Sequence, residues 1–287
     1  MRNLFIILAC LLACTSCQTR SYLFQEGVQG SVVYQTGELH LNKEVTIHYY
    51  IPVGAHKHAQ IIMHGTNRNG EDYLNAWKEK ADEKSIALFA PEFDKEAFPV
   101  SWYQEGGVVN AEGLFRGSDS TSYQILDDIL CFINRNIRKP YASFNMFGHS
   151  AGGQFVHRFM LLHQSPYVDK AVAANAGWYT FPTDTIAYPY GILGLSKDFS
   201  QLRKDYLAKN LYVLLGTADT VRDRDLRTTP EADAQGQYRF ARGLSFYDFA
   251  AKIAQEEGLP FHWRIDTVEG VAHNYRKMTQ AAADLLY

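Results

Sequence analysis

Cysteine is scarce in this chain where it would matter most. There are four, and three of them, Cys10, Cys14 and Cys17, fall near the amino terminus. Cys131 stands alone in the rest of the chain, so a disulfide within the folded body is excluded. It lies beside Leu130 in a helical pattern and reads as a small packed hydrophobe, not a nucleophile. Long runs of one charge are also missing. With 28 basic residues against 31 acidic ones and a net charge of −3, no nucleic-acid surface is expected. No apolar run approaches the length of a membrane-spanning helix. No spacing of His, Asp and Glu makes a defensible metal site, so no metal or organic cofactor is expected. No internal repeat and no linker divides the chain.

The amino terminus has its own character. Met1-Arg2-Asn3 precedes a nearly unbroken apolar run from Leu4 to Ala13, the pattern of an export signal. Residues 1–16 are read as a lipoprotein-type signal peptide, 17–29 as a polar tether and 30–287 as one domain. Leu11-Leu12-Ala13-Cys14 resembles the lipobox of bacterial lipoproteins; Cys17, after Thr15-Ser16, competes as the lipidated residue. Either would hold an exported protein at a bacterial cell envelope or outer surface by a lipid alone.

Beyond this leader, apolar content near half supports a sizeable core. Strand-like stretches at 31–34, 44–51, 59–63, 86–90, 144–147, 169–175, 211–215 and 262–268 alternate with helical patterns after the first two. Alternation of this kind predicts the α/β class: a mostly parallel sheet with helices on both faces and an antiparallel start. Pro91 is expected to stop the fourth strand, and Ser118 or Asp119 to cap the helix that follows.

One stretch organises the rest. Gly148-His149-Ser150-Ala151-Gly152 lies between a short strand and a helix. That context is what a nucleophile elbow needs: a turn so sharp that side chains two before and two after the serine would clash. The Ala151 N–H then opens a helix, where a free donor awaits a negative charge.

A serine is a poor nucleophile until a base takes its proton, and the base needs an orienting group. Chemistry in open α/β sheets gathers at the carboxyl ends of strands. Asp219 follows the strand 211–215 after a glycine turn, and His273 follows the last strand. His149, His157, His163 and His262 are less well placed. Asp223 and Asp225 remain candidates for the acid beside Asp219. The second oxyanion donor should leave the strand 59–63, where Thr66 and then Gly65 are the candidates.

Here the chain resembles a family. His64-Gly65-Thr66, Glu71-Asp72-Tyr73, Ala90-Pro91-Glu92, Gly148 to Gly153, Gly216-Thr217-Ala218-Asp219 and Gly270-Val271-Ala272-His273 are similar to motifs of the α/β-hydrolase superfamily. The likeness covers about residues 40 to 287 and is greatest for secreted esterases of the polyhydroxybutyrate-depolymerase and feruloyl or acetylxylan esterase type. It implies carboxylic-ester hydrolysis through an acyl-enzyme, with Ser150, Asp219 and His273 as the triad. A peptidase or acyltransferase on the same scaffold is the alternative, and a surface binding protein without activity is the alternative of another class.

Three long excursions, 92–118, 176–200 and 220–238, leave carboxyl ends of strands and should ring Ser150. Trp102, Tyr103, Trp178 and Tyr179 are the candidates for stacking on a sugar or phenolic ring. The expected partner is therefore a small-molecule or polysaccharide-linked ester.

Overall fold

The computed structural model describes residues 22–40, 42–55, 57–195 and 198–287. The signal sequence and both lipidation candidates, Cys14 and Cys17, lie outside the described residues.

Eight strands form one sheet in the order β1-β2-β4-β3-β5-β6-β7-β8. They are β1 (Val28–Gln35), β2 (Glu44–Ile51), β3 (His58–Met63), β4 (Ile86–Glu92), β5 (Phe144–His149), β6 (Val168–Ala174), β7 (Asn210–Gly216) and β8 (Arg264–Val268). β1 pairs antiparallel with β2, and β2 with β4; every pairing from β4 through β3 to β8 is parallel. The expected α/β architecture with its antiparallel start is therefore the observed one.

Period-two alternation sends neighbouring strand residues to opposite faces. Ile61, Met146, Val213 and Leu215 enter one core; Ile62, Phe147 and Leu214 enter the other. The first core is closed by α3 (Ser122–Arg135), α4 (Ala151–Leu162) and α7 (Arg239–Glu257) through Ile129, Phe155 and Phe246. The second is closed by α1 (Gly70–Lys84) and α8 (Tyr275–Leu286) through Trp77 and Met278. Both faces are buried, which is why the central strands read as continuous apolar runs.

Several local expectations are corrected. Pro91 does not end β4; the strand runs to Glu92, pairing with β2. Its register with β3 stops at Phe89, so Pro91 sits where one side of the strand is already an edge. Ser118 to Ser120 form a 3-10 turn, and Thr121 caps α3 by accepting from the Gln124 N–H at 3.3 Å. The segment 22–29 is not a free tether. Phe24 is 1% exposed, its ring centroid 5.2 Å from Tyr49 and 5.5 Å from Phe89, and Val28 already belongs to β1. The Phe24 N–H also donates to Asn136 O at 3.2 Å and the Gly27 N–H to Ile51 O at 2.7 Å, so backbone bonds hold the segment beside the buried ring.

The excursions also contain helices. α2 (Val100–Tyr103) lies in the first, α5 (Phe199–Leu207) closes the second, and α6 (Pro230–Gln235) lies in the third.

Candidate active site

β5 ends at His149, and Ser150 follows at φ 59°, ψ −118° before α4 opens. Such a conformation costs a non-glycine residue about 1–3 kcal/mol and persists only where its surroundings force it. The glycines on either side show how. A side chain on Gly148 would stand 2.2 Å from the Gly152 carbonyl oxygen, and one on Gly152 would stand 2.1 Å from that of Met63. The clash is thus with backbone, partly that of the neighbouring strand β3. The Ser150 N–H donates to Ala174 O at 3.0 Å, and Ser150 O accepts from the Gln154 N–H at 3.1 Å.

The turn after β7 is built the same way. A side chain on Gly216 would meet Val271 O at 2.3 Å, so this turn lies against the loop that carries His273. His273 Nδ1 donates to Asp219 Oδ2 at 2.7 Å, and the Asp219 side chain is 2% exposed. Asp223 instead accepts a fork from Arg239 at 2.8 and 2.9 Å, which holds its carboxyl below the usual carboxylate range.

Ser150 and His273 line one cavity of about 160 Å³, together with Gly65, Thr66, Asp225 and Tyr275. The first-turn N–H groups of α4, Ala151 among them, have no partner within their own helix. Gly65 brings its backbone close: a side chain there would be 3.8 Å from Ser150 Cβ and 2.6 Å from the Tyr73 hydroxyl.

Histidines brace this cavity from behind. His64 is buried; its Nδ1 faces Gly65 O at 3.0 Å and its Nε2 accepts from the Phe93 N–H at 3.0 Å. Burial pushes it down to about 3, so it stays neutral and ties the turn after β3 to the end of β4. The His149 ring lies 4.5 Å from that of His273, with its Nδ1 3.1 Å from the Tyr73 hydroxyl. Burial, and then the nearby His273 and Arg239, hold His149 neutral as well.

A second, adjoining cavity of about 310 Å³ also opens on Ser150, Ala151 and Thr66. All three excursions reach it: Gln104 from the first, Trp178 from the second, and Arg224 and Arg227 from the third, with Arg239 behind. Of the four aromatic candidates only Trp178 lines it. The guanidinium groups of Arg158 and Arg227 lie 4.0 and 4.3 Å from its ring centroid.

The other three aromatics are engaged elsewhere, which corrects the expectation of an aromatic rim. Tyr103 is fully buried, stacks on His64 at 4.6 Å and donates to His64 O at 2.7 Å. Tyr179 is fully buried and stacks on Phe246 at 4.4 Å. Trp102 lies under Lys43 at 4.3 Å and Arg116 at 5.3 Å, away from both cavities. Tyr103 and Tyr179 belong to the first core itself, and Trp102 packs against it, so these rings anchor the excursions to the body of the domain. The arginines were visible in the sequence as a mixed-charge stretch, but nothing there told which would face the serine. Among the described residues, no group of His, Cys, Asp and Glu is arranged to hold a metal.

No protein-family model matches the chain, and no curated protein does. Solved structures do. The chain is similar to poly(aspartic acid) hydrolase-1 from Sphingomonas sp. KT-1, with 36% identity and a TM-score of 0.83 over 90% of this chain and 97% of that one. It is similar to a poly(3-hydroxybutyrate) depolymerase from Bordetella parapertussis, with 32% identity and a TM-score of 0.85 over 91% of this chain and 89% of that one. An S-formylglutathione hydrolase from Staphylococcus aureus, 15% identical with a TM-score of 0.57 over 90% of this chain and 97% of that one, shares the fold.

Proposed function

The chain belongs to the α/β-hydrolase superfamily of serine hydrolases, and from that premise we propose that it hydrolyses carboxylic esters through an acyl-enzyme on Ser150. One observation carries the reading. Ser150 is held at positive φ on the wall of a cavity shared with His273, whose Nδ1 is 2.7 Å from buried Asp219.

The chemistry follows from that arrangement. Ser150 Oγ bonds to the ester carbonyl carbon while His273 Nε2 takes its proton, and the carbonyl electron pair moves to oxygen. Donors at Ala151 and Thr66, with Gly65 as the alternative to Thr66, hold that oxyanion. The pair returns as the C–O bond to the alcohol breaks, and His273 gives its proton to the departing oxygen. Water, deprotonated by His273, then attacks the acyl-enzyme and frees the acid and Ser150. Asp219 keeps the imidazole oriented and stabilises its charged form. Hydrolysis of p-nitrophenyl acetate and butyrate by the parent, with near-complete loss in Ser150→Ala, is the expected result. Equal rates in both proteins would dismiss the reading.

A specific observation also favours a substrate class. The larger cavity presents Arg224, Arg227 and Arg239 against one carboxylate, Asp225, while Glu105 and Asp223, which pair with Arg227 and Arg239, do not line it. The Arg224 side chain is 93% exposed, with only Asp225 at 3.9 Å. We read this wall as suited to esters that carry a carboxylate, in preference to neutral glycan or phenolic esters. The similar protein named for poly(aspartic acid), a polyanion, agrees in sign. Loss of one charge-assisted contact costs about 1.5–3 kcal/mol, so Arg227→Ala should lower the kcat/KM ratio of p-nitrophenyl hemiglutarate to butyrate roughly tenfold or more. An unchanged ratio would return the choice to neutral esters.

For the remainder of the chain we propose a catalytic unit spanning 30–287, with residues 22–29 docked on it. Residues 1–16 direct export, and Cys17 or Cys14 carries a lipid. The mass of the mature amino terminus decides between them; an unmodified Met1 would refute both.

A further inference from the structure

α7 begins at Arg239, directly after the third excursion, and its first turn is fastened to the acid of the site: the Phe240 N–H donates to Asp219 O at 3.2 Å. The Arg239 guanidinium lies between two carboxylates. Its Nη1 is 3.6 Å from Asp219 Oδ1, and both Nη atoms fork onto Asp223 at 2.8 and 2.9 Å. The side chains of Arg239 and Asp219 are each 2% exposed. A guanidinium is costly to bury, and a fork onto Asp223, whose side chain is 36% exposed, needs no such burial. What the burial adds is a positive charge against the far oxygen of the carboxylate that holds His273.

We propose that Arg239 is a positioning residue for the triad: it shares Asp219 with His273, and Asp223 holds it in place to do so. The proposal rests on the reading of Ser150, Asp219 and His273 given above.

The groups facing His273 can be named element by element. Asp219 comes from the turn after β7, His149 from the end of β5, and Tyr73 from α1. Tyr275 comes from the start of α8, and Asp225 from the third excursion. Arg239 and Asp223 stand behind Asp219. Burial keeps His149 neutral and pushes the Tyr73 and Tyr275 hydroxyls up, so all three are uncharged near neutrality. Arg224 pairs with Asp225 at 3.9 Å and Arg276 lies 5.0 Å from the Tyr275 ring, whereas Arg239 is the guanidinium set against Asp219 itself. Its charge, 3.6 Å from Asp219 Oδ1, opposes a second positive charge gathering on the same carboxylate.

The test is the pH profile of kcat/KM on the neutral ester p-nitrophenyl acetate, read at an isosbestic wavelength. Arg239→Met should move the acid limb up by about half a unit to one unit and lower kcat more than it raises KM. Arg239→Lys, which keeps the charge, should return the limb close to the parent's. Asp223→Asn is partly exposed and frees the guanidinium for Asp219, so it should move the limb down. A folded Arg239→Met with an unmoved limb, or an Asp223→Asn limb that does not move down, overturns the proposal; if Arg239→Met does not fold, Asp223→Asn decides alone. Parent activity that survives Ser150→Ala would instead refute the underlying triad, and the proposal with it.

Discussion

Replacing His64 by Gln tests how the turn after β3 is held. His64 accepts the Phe93 N–H at Nε2 and faces Gly65 O with Nδ1, so only the neutral Nδ1–H form satisfies both contacts. Burial depresses the group to about 3, and Arg68 acts in the same direction. In the unfolded chain it titrates near its ordinary value, about 6.5. The sign follows. Above pH ~6.5 neither state binds the proton and there is no effect. Between ~6.5 and ~3 the unfolded chain is protonated while the folded one is not, so stability falls as pH falls. At about 1.4 kcal/mol per pH unit, the loss is about 2 kcal/mol at pH 5 and about 5 kcal/mol at pH 3. That is a large part of a typical stability of about 5–15 kcal/mol. His149 and His157, held neutral chiefly by burial, add losses of the same sign. Urea unfolding at pH 7, 6 and 5 reads the effect. Stability of the parent should fall below pH 6, and in His64→Gln the slope should be shallower by about 1.4 kcal/mol per pH unit. Parallel slopes in the two proteins would refute the reasoning.

Other outcomes follow from the same geometry. Gly152→Ala puts a methyl 2.1 Å from Met63 O, so activity should be lost and stability should drop by about 1–3 kcal/mol or more, read by thermal melting and ester assay together. Asp219→Asn leaves the volume intact but removes the charge facing His273 Nδ1; kcat in the ester assay should fall by roughly 10⁴. Lys209 donates to Met160 O and His163 O at 2.6 Å each, and burial lowers it to about 8. Lys209→Met leaves those carbonyls without this donor and should cost about 1–3 kcal/mol in urea unfolding while kcat stays at the parent level.

Much of this arrangement was legible in the chain because it is written in backbone constraints. Gly148, Gly152 and Gly216 each occupy a place where a side chain would strike a carbonyl oxygen, so a short glycine pattern carried the geometry of two turns. The central strands were legible because both faces are buried. Other features were hidden for physical reasons. α2, at Val100–Tyr103, and α6, at Pro230–Gln235, are too short to show a 3.6-residue period. Phe24 is the buried residue of a short segment too irregular to show a period, next to the exposed Leu23. Tyr103 and Tyr179 read as surface rings but are buried in the first core. The third excursion balances Arg against Asp in sequence; only the fold turns Arg224 and Arg227 toward Ser150 and places Glu105 behind the latter.

The central claim is that Ser150 is the nucleophile, activated by His273. Reaction of the intact protein with a fluorophosphonate, followed by peptide mapping, tests it most directly. The account predicts one equivalent of label on the peptide that contains Ser150, none in Ser150→Ala and a strongly slowed reaction in His273→Ala. Label on another residue, or none on a folded parent, would contradict it.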